Sequence, residues 1–182
     1  MASLKNAYIK TDCKEVIVKL LATNQDNEKN QVYFGYSKEL LSLFPSKVSF
    51  RSPSESRSKS GSAAGKPILE HAFKLYWLTE NTEPALAPKA KIIDYFQYPE
   101  MRFSGFLSGC SNPPDALRRD SQDSYGRRVL VLGISEDSVF GVVLTDRDCN
   151  FIDELVSLPR WFNSSMFLQL KLDSNLIQDI SP

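Results

Sequence analysis

Short apolar runs rich in β-branched residues recur along this 182-residue chain, separated by polar stretches carrying serine, asparagine and proline. Runs of this length and composition favour strands over helices. Glu15–Leu21 (EVIVKLL) and Gln31–Tyr36 are predicted to be strands, as are Lys47–Phe50, Ala72–Leu78 (within Ile68–Thr79, Lys74 outward) and Lys89–Phe96. Val129–Ile134 and Val139–Leu144 read as a hairpin closed by Ser135-Glu136-Asp137-Ser138, and Phe103–Leu107 and Phe167–Leu172 as further strands. Ser37–Pro45 fits a short helix, with Ser37 as cap, an apolar face of Leu40, Leu41, Leu43 and Phe44, and Pro45 as stop. A second short helix is expected over Phe151–Leu158, ended by Pro159, and a helical turn near Asp115–Arg119. With about seven or eight of these nine runs forming strands, two short helices and no βαβα rhythm, the class is mainly β, a barrel or sandwich with helices at its ends.

The polar intervals are where binding residues tend to sit. Glu15–Leu21 and Gln31–Tyr36 read as a hairpin whose amide-rich tip, residues 22–30, is longer than the usual hairpin connection, and Arg51 to Lys66 is a serine-rich basic stretch with no apolar period. Asn81–Pro88 and Ser111–Arg128 are expected to be loops. The segment Tyr98-Pro99-Glu100-Met101-Arg102-Phe103-Ser104-Gly105 sets an acid two residues before a base. On an extended chain alternate side chains share a face, so Glu100 and Arg102 project together. Two readings are open: an exposed charge pair on a strand edge, or a reader of a G·C base pair, with Arg donating to guanine and Glu accepting from cytosine.

Charge and composition narrow the classes. The formal net charge is zero, which argues against non-specific, electrostatically driven binding to nucleic acid. Yet Lys47 to Lys66 holds five bases against one acid, and Glu136 to Glu154 six acids against one base. The three cysteines, Cys13, Cys110 and Cys149, are too few and too scattered for a disulfide framework or a zinc knuckle. His71 is the sole histidine and hence the only possible member of a charge-relay triad. No glycine-rich phosphate loop or nucleophile elbow is spelled out. Asp115 lacks the acid-x-Lys partner that a metal-dependent nuclease needs on a following strand. No catalytic or metal-binding residue is therefore assigned. The start, Met1 to Cys13, has no apolar signal region and no run reaches membrane-spanning length, so a soluble intracellular protein is expected.

Three blocks, Val18-Lys19-Leu20-Leu21-Ala22-Thr23-Asn24, Asn30–Tyr36 and Leu40–Ser46, resemble in order and type the N-terminal effector domain of EcoRII-type restriction endonucleases. A weaker block is Ala90–Phe96 followed by Glu100-Met101-Arg102. The family is similar to the DNA-binding domain of plant "B-three" transcription factors: an open seven-stranded pseudobarrel with two short capping helices, gripping the major groove with two arms. The resemblance implies a sequence-specific double-stranded DNA-binding domain over residues 1–172, reading a CCWGG-like site (W is A or T). Residues 173–182 would link it to a separate nuclease domain of a type II enzyme. The resemblance also implies a bacterial cytoplasm, no cofactor for this domain and Mg²⁺ for the nuclease domain. It places Thr23, Asn24, Gln25, Asp26, Asn27, Asn30 and Gln31 on one arm and Gln97, Tyr98, Glu100, Met101, Arg102 and Ser104 on the other. The family's second arm is richer in Lys and Arg, so phosphate contacts are assigned to Arg51, Arg57 and Lys59, with Arg118, Arg119, Arg127 and Arg128 as further candidates. The competing readings are a Mg²⁺-dependent nuclease in its own right and a β-rich protein-interaction module.

Overall fold

The computed structural model describes residues 15–21, 31–35, 38–51, 67–79, 84–95, 100–117, 128–145 and 167–171. The strands are β1 (Glu15–Leu21), β2 (Gln31–Gly35), β3 (Lys47–Arg51), β4 (Ile68–Ala72), β5 (Leu75–Trp77), β6 (Ala85–Ala87), β7 (Lys91–Asp94), β8 (Glu100–Ser104), β9 (Arg128–Ile134), β10 (Val139–Thr145) and β11 (Phe167–Lys171). A single helix, α1 (Lys38–Leu43), and a 3₁₀ turn at Asp115–Leu117 complete the described elements. The protein is mainly β. The strands form a six-stranded sheet in the order β11-β1-β9-β10-β5-β6 and a five-stranded sheet in the order β2-β8-β7-β4-β3, and neither closes on itself.

One apolar core joins the two layers. The five-stranded sheet contributes Val32, Phe34, Ile92, Met101 and Phe103, and the six-stranded sheet Ile17, Leu21, Leu75, Trp77, Leu130, Leu132 and Val143. Phe103 sits among three rings, Phe34 at 6.2 Å, Phe73 at 5.9 Å and Phe106 at 4.8 Å between centroids. Helix α1 lays Leu40 into this core, and Phe44 just beyond it packs at a tilt against Phe73, 4.8 Å between ring centroids. Trp77 is fixed by its indole N–H, which donates to the Phe106 carbonyl at 2.7 Å. Its ring lies over Gly141, where a Cβ would come within 2.6 Å of it, so this close packing needs a residue without a side chain. Strand β9 is buried along its whole length, and Val18, Val129, Val131 and Val142 are buried on the sheet face away from the core.

The structure corrects the strand map in four places, the first being that β1 and β2, expected to pair as a hairpin, lie in different sheets. Eleven strands are described, against the seven or eight expected. The predicted strand Ala72–Leu78 is divided between the sheets: Ala72 ends β4, the chain crosses over and β5 begins at Leu75, with Phe73 N–H donating back to the Ala90 carbonyl and the Lys74 carbonyl accepting from Val139 N–H. Inward and outward residues keep alternating through the crossing, with Phe73 buried and Lys74 exposed. Periodicity alone therefore cannot see the break. The expected loop Asn81–Pro88 contains β6, an edge strand flanked by Pro84 and Pro88, where the missing N–H groups cost least. The last correction is at β8, which begins at Glu100 rather than Phe103, so Glu100 to Arg102 belong to a strand and not to the tip of an arm.

The remaining strands, α1, the 3₁₀ turn and the Ser135–Ser138 hairpin fall where the sequence puts them. The expected helix 151–158, the tail 173–182 and the loops 22–30 and 52–66 lie outside the described residues. No helix among the described residues is long and apolar enough to cross a membrane.

Candidate nucleic-acid interface

Cross-strand register decides which side chains of the five-stranded sheet face away from the core. Met101 and Phe103 point inward, so Arg102 and Ser104 stand on the outer face. One row then runs across all five strands: Tyr33, Arg102, Ile93, Glu70 and Ser49. A neighbouring row pairs Ser104 with Lys91, and Lys91 with Ala72.

Two interactions organise this face. The Arg102 guanidinium lies over the Tyr95 ring, 5.0 Å from its centroid, within range of a cation–π contact. Its Nε is buried and has no hydrogen-bond partner among the described residues. Beside it, one carboxylate oxygen of Glu70 accepts from Lys91 Nζ at 2.9 Å and from Arg51 Nη2 at 2.8 Å. Burial raises the Tyr95 hydroxyl above its usual range; Arg102 and Arg51 pull it down, while Tyr33 and Glu70 push it up. These groups thus form one cluster of aromatic rings and alternating charges, with cations in excess.

The ends of the β2–β8 ladder matter as much as its middle. Gln31 pairs with Ser104 and Gly35 with Glu100. Residues 22–30 enter at the Gln31 end, whereas residues 96–99 enter at the Glu100 end. The two polar connections therefore join opposite ends of a ladder roughly 14 Å long, at about 3.4 Å per residue.

The expected site residues divide. Arg102 stands on the outer face and Arg51 at its margin, held by Glu70. Met101 is corrected: its side chain is 0% exposed and belongs to the core, because alternation along β8 sends it inward. Ser104 lies on the Arg102 face but is buried, so it is not offered as a contact. Arg128 is corrected as a phosphate contact: it is 2% exposed and its Nη1 donates to the Ala116 carbonyl at 3.0 Å, tying β9 to the 3₁₀ turn. Thr23, Asn24, Gln25, Asp26, Asn27, Asn30, Arg57, Lys59, Gln97, Tyr98, Arg118, Arg119 and Arg127 lie outside the described residues, as do the side chains of Gln31 and Glu100. Sequence reasoning missed Tyr33, Glu70, Lys91 and Tyr95. The alternation of Lys91 and Ile93 against Ile92 was the available signal for the outer face, but not for the contacts made on it.

His71 is flanked by Ser46, whose Oγ lies 3.4 Å from Nδ1, and its Nε2 is buried with no hydrogen-bond partner among the described residues. In a relay, an acid holds the second ring nitrogen. Asp94, also buried, acts on His71 only as a nearby charge that raises its pKa. Burial is the larger effect and lowers the pKa below its ordinary value of about 6.5. The folded protein therefore resists protonating His71 and the unfolded chain does not. Stability is fully present above about pH 6.5 and falls as the pH drops below that, levelling off once the folded pKa is passed. A single proton limits the slope to about 1.4 kcal/mol per pH unit. Thermal melts between pH 7.5 and 5 should show this limb, and His71→Gln should flatten it. An equal acid limb in the variant would assign the effect elsewhere. Among the described residues, no group of three His, Cys, Asp or Glu is placed to hold a metal ion.

No protein-family model matches the chain, and no curated protein matches it.

Proposed function

We propose that this chain is a sequence-specific double-stranded DNA-binding domain that reads its site with the outer face of the five-stranded sheet. The observation that carries the reading is Arg102, set midway along β8 on the Tyr95 ring, between strand ends that lead into two polar connections. A fork of guanidinium donors suits the O6 and N7 acceptors of guanine, and the ladder length is comparable to the major-groove width of about 12 Å. The open, mainly β frame agrees with the resemblance to EcoRII-type effector domains. On this proposal the fold is a DNA-binding pseudobarrel whose seven strands and two capping helices are the family's common part, with edge strands such as β6 added. The domain would direct a nuclease domain of the same polypeptide in a bacterial cytoplasm, with Mg²⁺ serving that nuclease.

Titration with short duplexes tests the proposal. A CCWGG duplex should bind more tightly than a scrambled one of equal length. Arg102→Ala should cost about 1–3 kcal/mol on the cognate duplex and relax discrimination at one base pair. Equal affinity for both duplexes in the unmodified protein would remove the sequence-specific reading.

One observation favours a second reading. Strand β3 is the edge of the five-stranded sheet, and it exposes Val48 (53%) and Phe50 (62%). An apolar edge strand is a template for β-pairing with another chain. Absence of DNA affinity at low salt, together with loss of self-association or partner binding in Phe50→Lys, would favour a protein-interaction module.

A further inference from the structure

We infer that Tyr95 positions Arg102 and thereby sets base specificity, an inference that rests on the DNA-binding reading above. An arginine on an open sheet face is ordinarily a mobile side chain. It loses rotamer freedom when it binds, and its planar fork confers specificity only if the plane is already oriented.

Three features remove that freedom here. Tyr33 and Ile93 flank Arg102 across the two neighbouring strands. The Tyr95 ring lies under the guanidinium at 5.0 Å. The Nε–H is buried and has no acceptor among the described residues. A buried donor without a partner is unfavourable, so packing must hold it there.

The consequence is chemical. Arginine has five N–H donors, and it can present an edge fork through Nε and one Nη, or an end fork through both Nη groups. Burying Nε removes the edge fork. What remains is the end fork, which matches an acceptor pair such as guanine O6 and N7. Tyr95 does not need to touch the DNA for this. It lies on the β7–β8 connection immediately after Asp94, so it couples the identity of one base pair to the geometry of that hairpin. Nearby, Glu70 pairs with Arg51 and Lys91.

The same fork could grip a phosphate, and the two targets give different results. Wild type, Tyr95→Phe, Tyr95→Leu and Arg102→Ala would be titrated with the cognate duplex and with duplexes changed at each base pair in turn. Tyr95→Phe keeps the ring and should keep the wild-type ratio between cognate and altered duplexes. Tyr95→Leu should lower that ratio roughly fivefold to tenfold, at the same base pair as Arg102→Ala. A uniform loss across all duplexes would mean phosphate contact and overturn the inference. So would an unchanged ratio in Tyr95→Leu against a selective wild type. If wild type itself shows no selectivity, the DNA-binding reading fails, and base specificity fails with it.

A measurement without DNA separates the two failures. The Arg102 Nε–H should exchange slowly with solvent in wild type and Tyr95→Phe, by ¹⁵N NMR, and rapidly in Tyr95→Leu. Unchanged exchange in Tyr95→Leu would overturn the positioning role whatever the chain binds. Tyr95→Met, flexible and non-aromatic, replaces Tyr95→Leu should that variant not fold.

Discussion

Phe103→Ala is expected to destabilise the protein by about 3–5 kcal/mol, the range for removing a fully buried aromatic ring. Phe103 is 0% exposed and touches Phe34, Phe73 and Phe106. Phe34 belongs to the neighbouring strand, Phe73 to the crossing between sheets, and Phe106 to the turn that receives the Trp77 indole bond. Alanine leaves a cavity lined by three rigid rings, which cannot collapse to fill it. Because a small domain has only some 5–15 kcal/mol in total, much of the margin would go. Urea denaturation followed by tryptophan fluorescence measures the loss. A cost below about 1 kcal/mol would show that the rings are not packed as described.

Gly105→Ala is expected to cost a comparable amount by another route. Gly105 follows β8 with φ of 71°, a conformation that costs a residue with a side chain about 1–2 kcal/mol. The larger part is collision: a Cβ there would meet the backbone of Lys89, whose carbonyl oxygen and carbon are the nearest atoms. Backbone cannot rotate aside as a side-chain tip can, so the turn after β8 must separate from the segment between β6 and β7. A combined loss of about 2–4 kcal/mol is expected. A melting point within about 2 °C of the unmodified protein would contradict it.

The parts of the fold that the sequence discloses are those whose signals are local. Strands β1 and β2, helix α1 and the β9–β10 hairpin each carry their own β-branched runs, stop residues or turn. Phe73-Lys74 carries no such mark, because the chain changes sheets there without breaking its inward and outward alternation. Ala85-Leu86-Ala87 lacks β-branched residues and is bracketed by prolines, so only its pairing with β5 makes it a strand. Arg127-Arg128 reads as a surface pair until Arg128 is found buried against the 3₁₀ turn. Lys19 is a second buried base, its ammonium 5.7 Å from the centre of the Phe34 ring.

At the candidate interface, local spacing points to Arg102, but its surroundings are tertiary. The Glu70–Lys91 pair spans 21 residues and forms only because β4 and β7 are neighbours. Met101 was misjudged for the converse reason: its place beside Arg102 in sequence is a place on the opposite side of the sheet.

The path between β4 and β7 has a bearing on how the molecule comes apart. These strands are neighbours in one sheet, yet the chain between them leaves to lay β5 and β6 along the edge of the other. Strand β5 pairs in parallel with β10, far along the sequence. The excursion stitches one layer to the other at two points, Phe73-Lys74 on the way out and Pro88 to Ala90 on the way back. Peeling the sheets apart must pull on both seams, and each seam lies beside a strand of the candidate interface. Amide exchange in the two layers should therefore be governed by a single opening event, and the face that carries Arg102 inherits its rigidity from the sheet behind it.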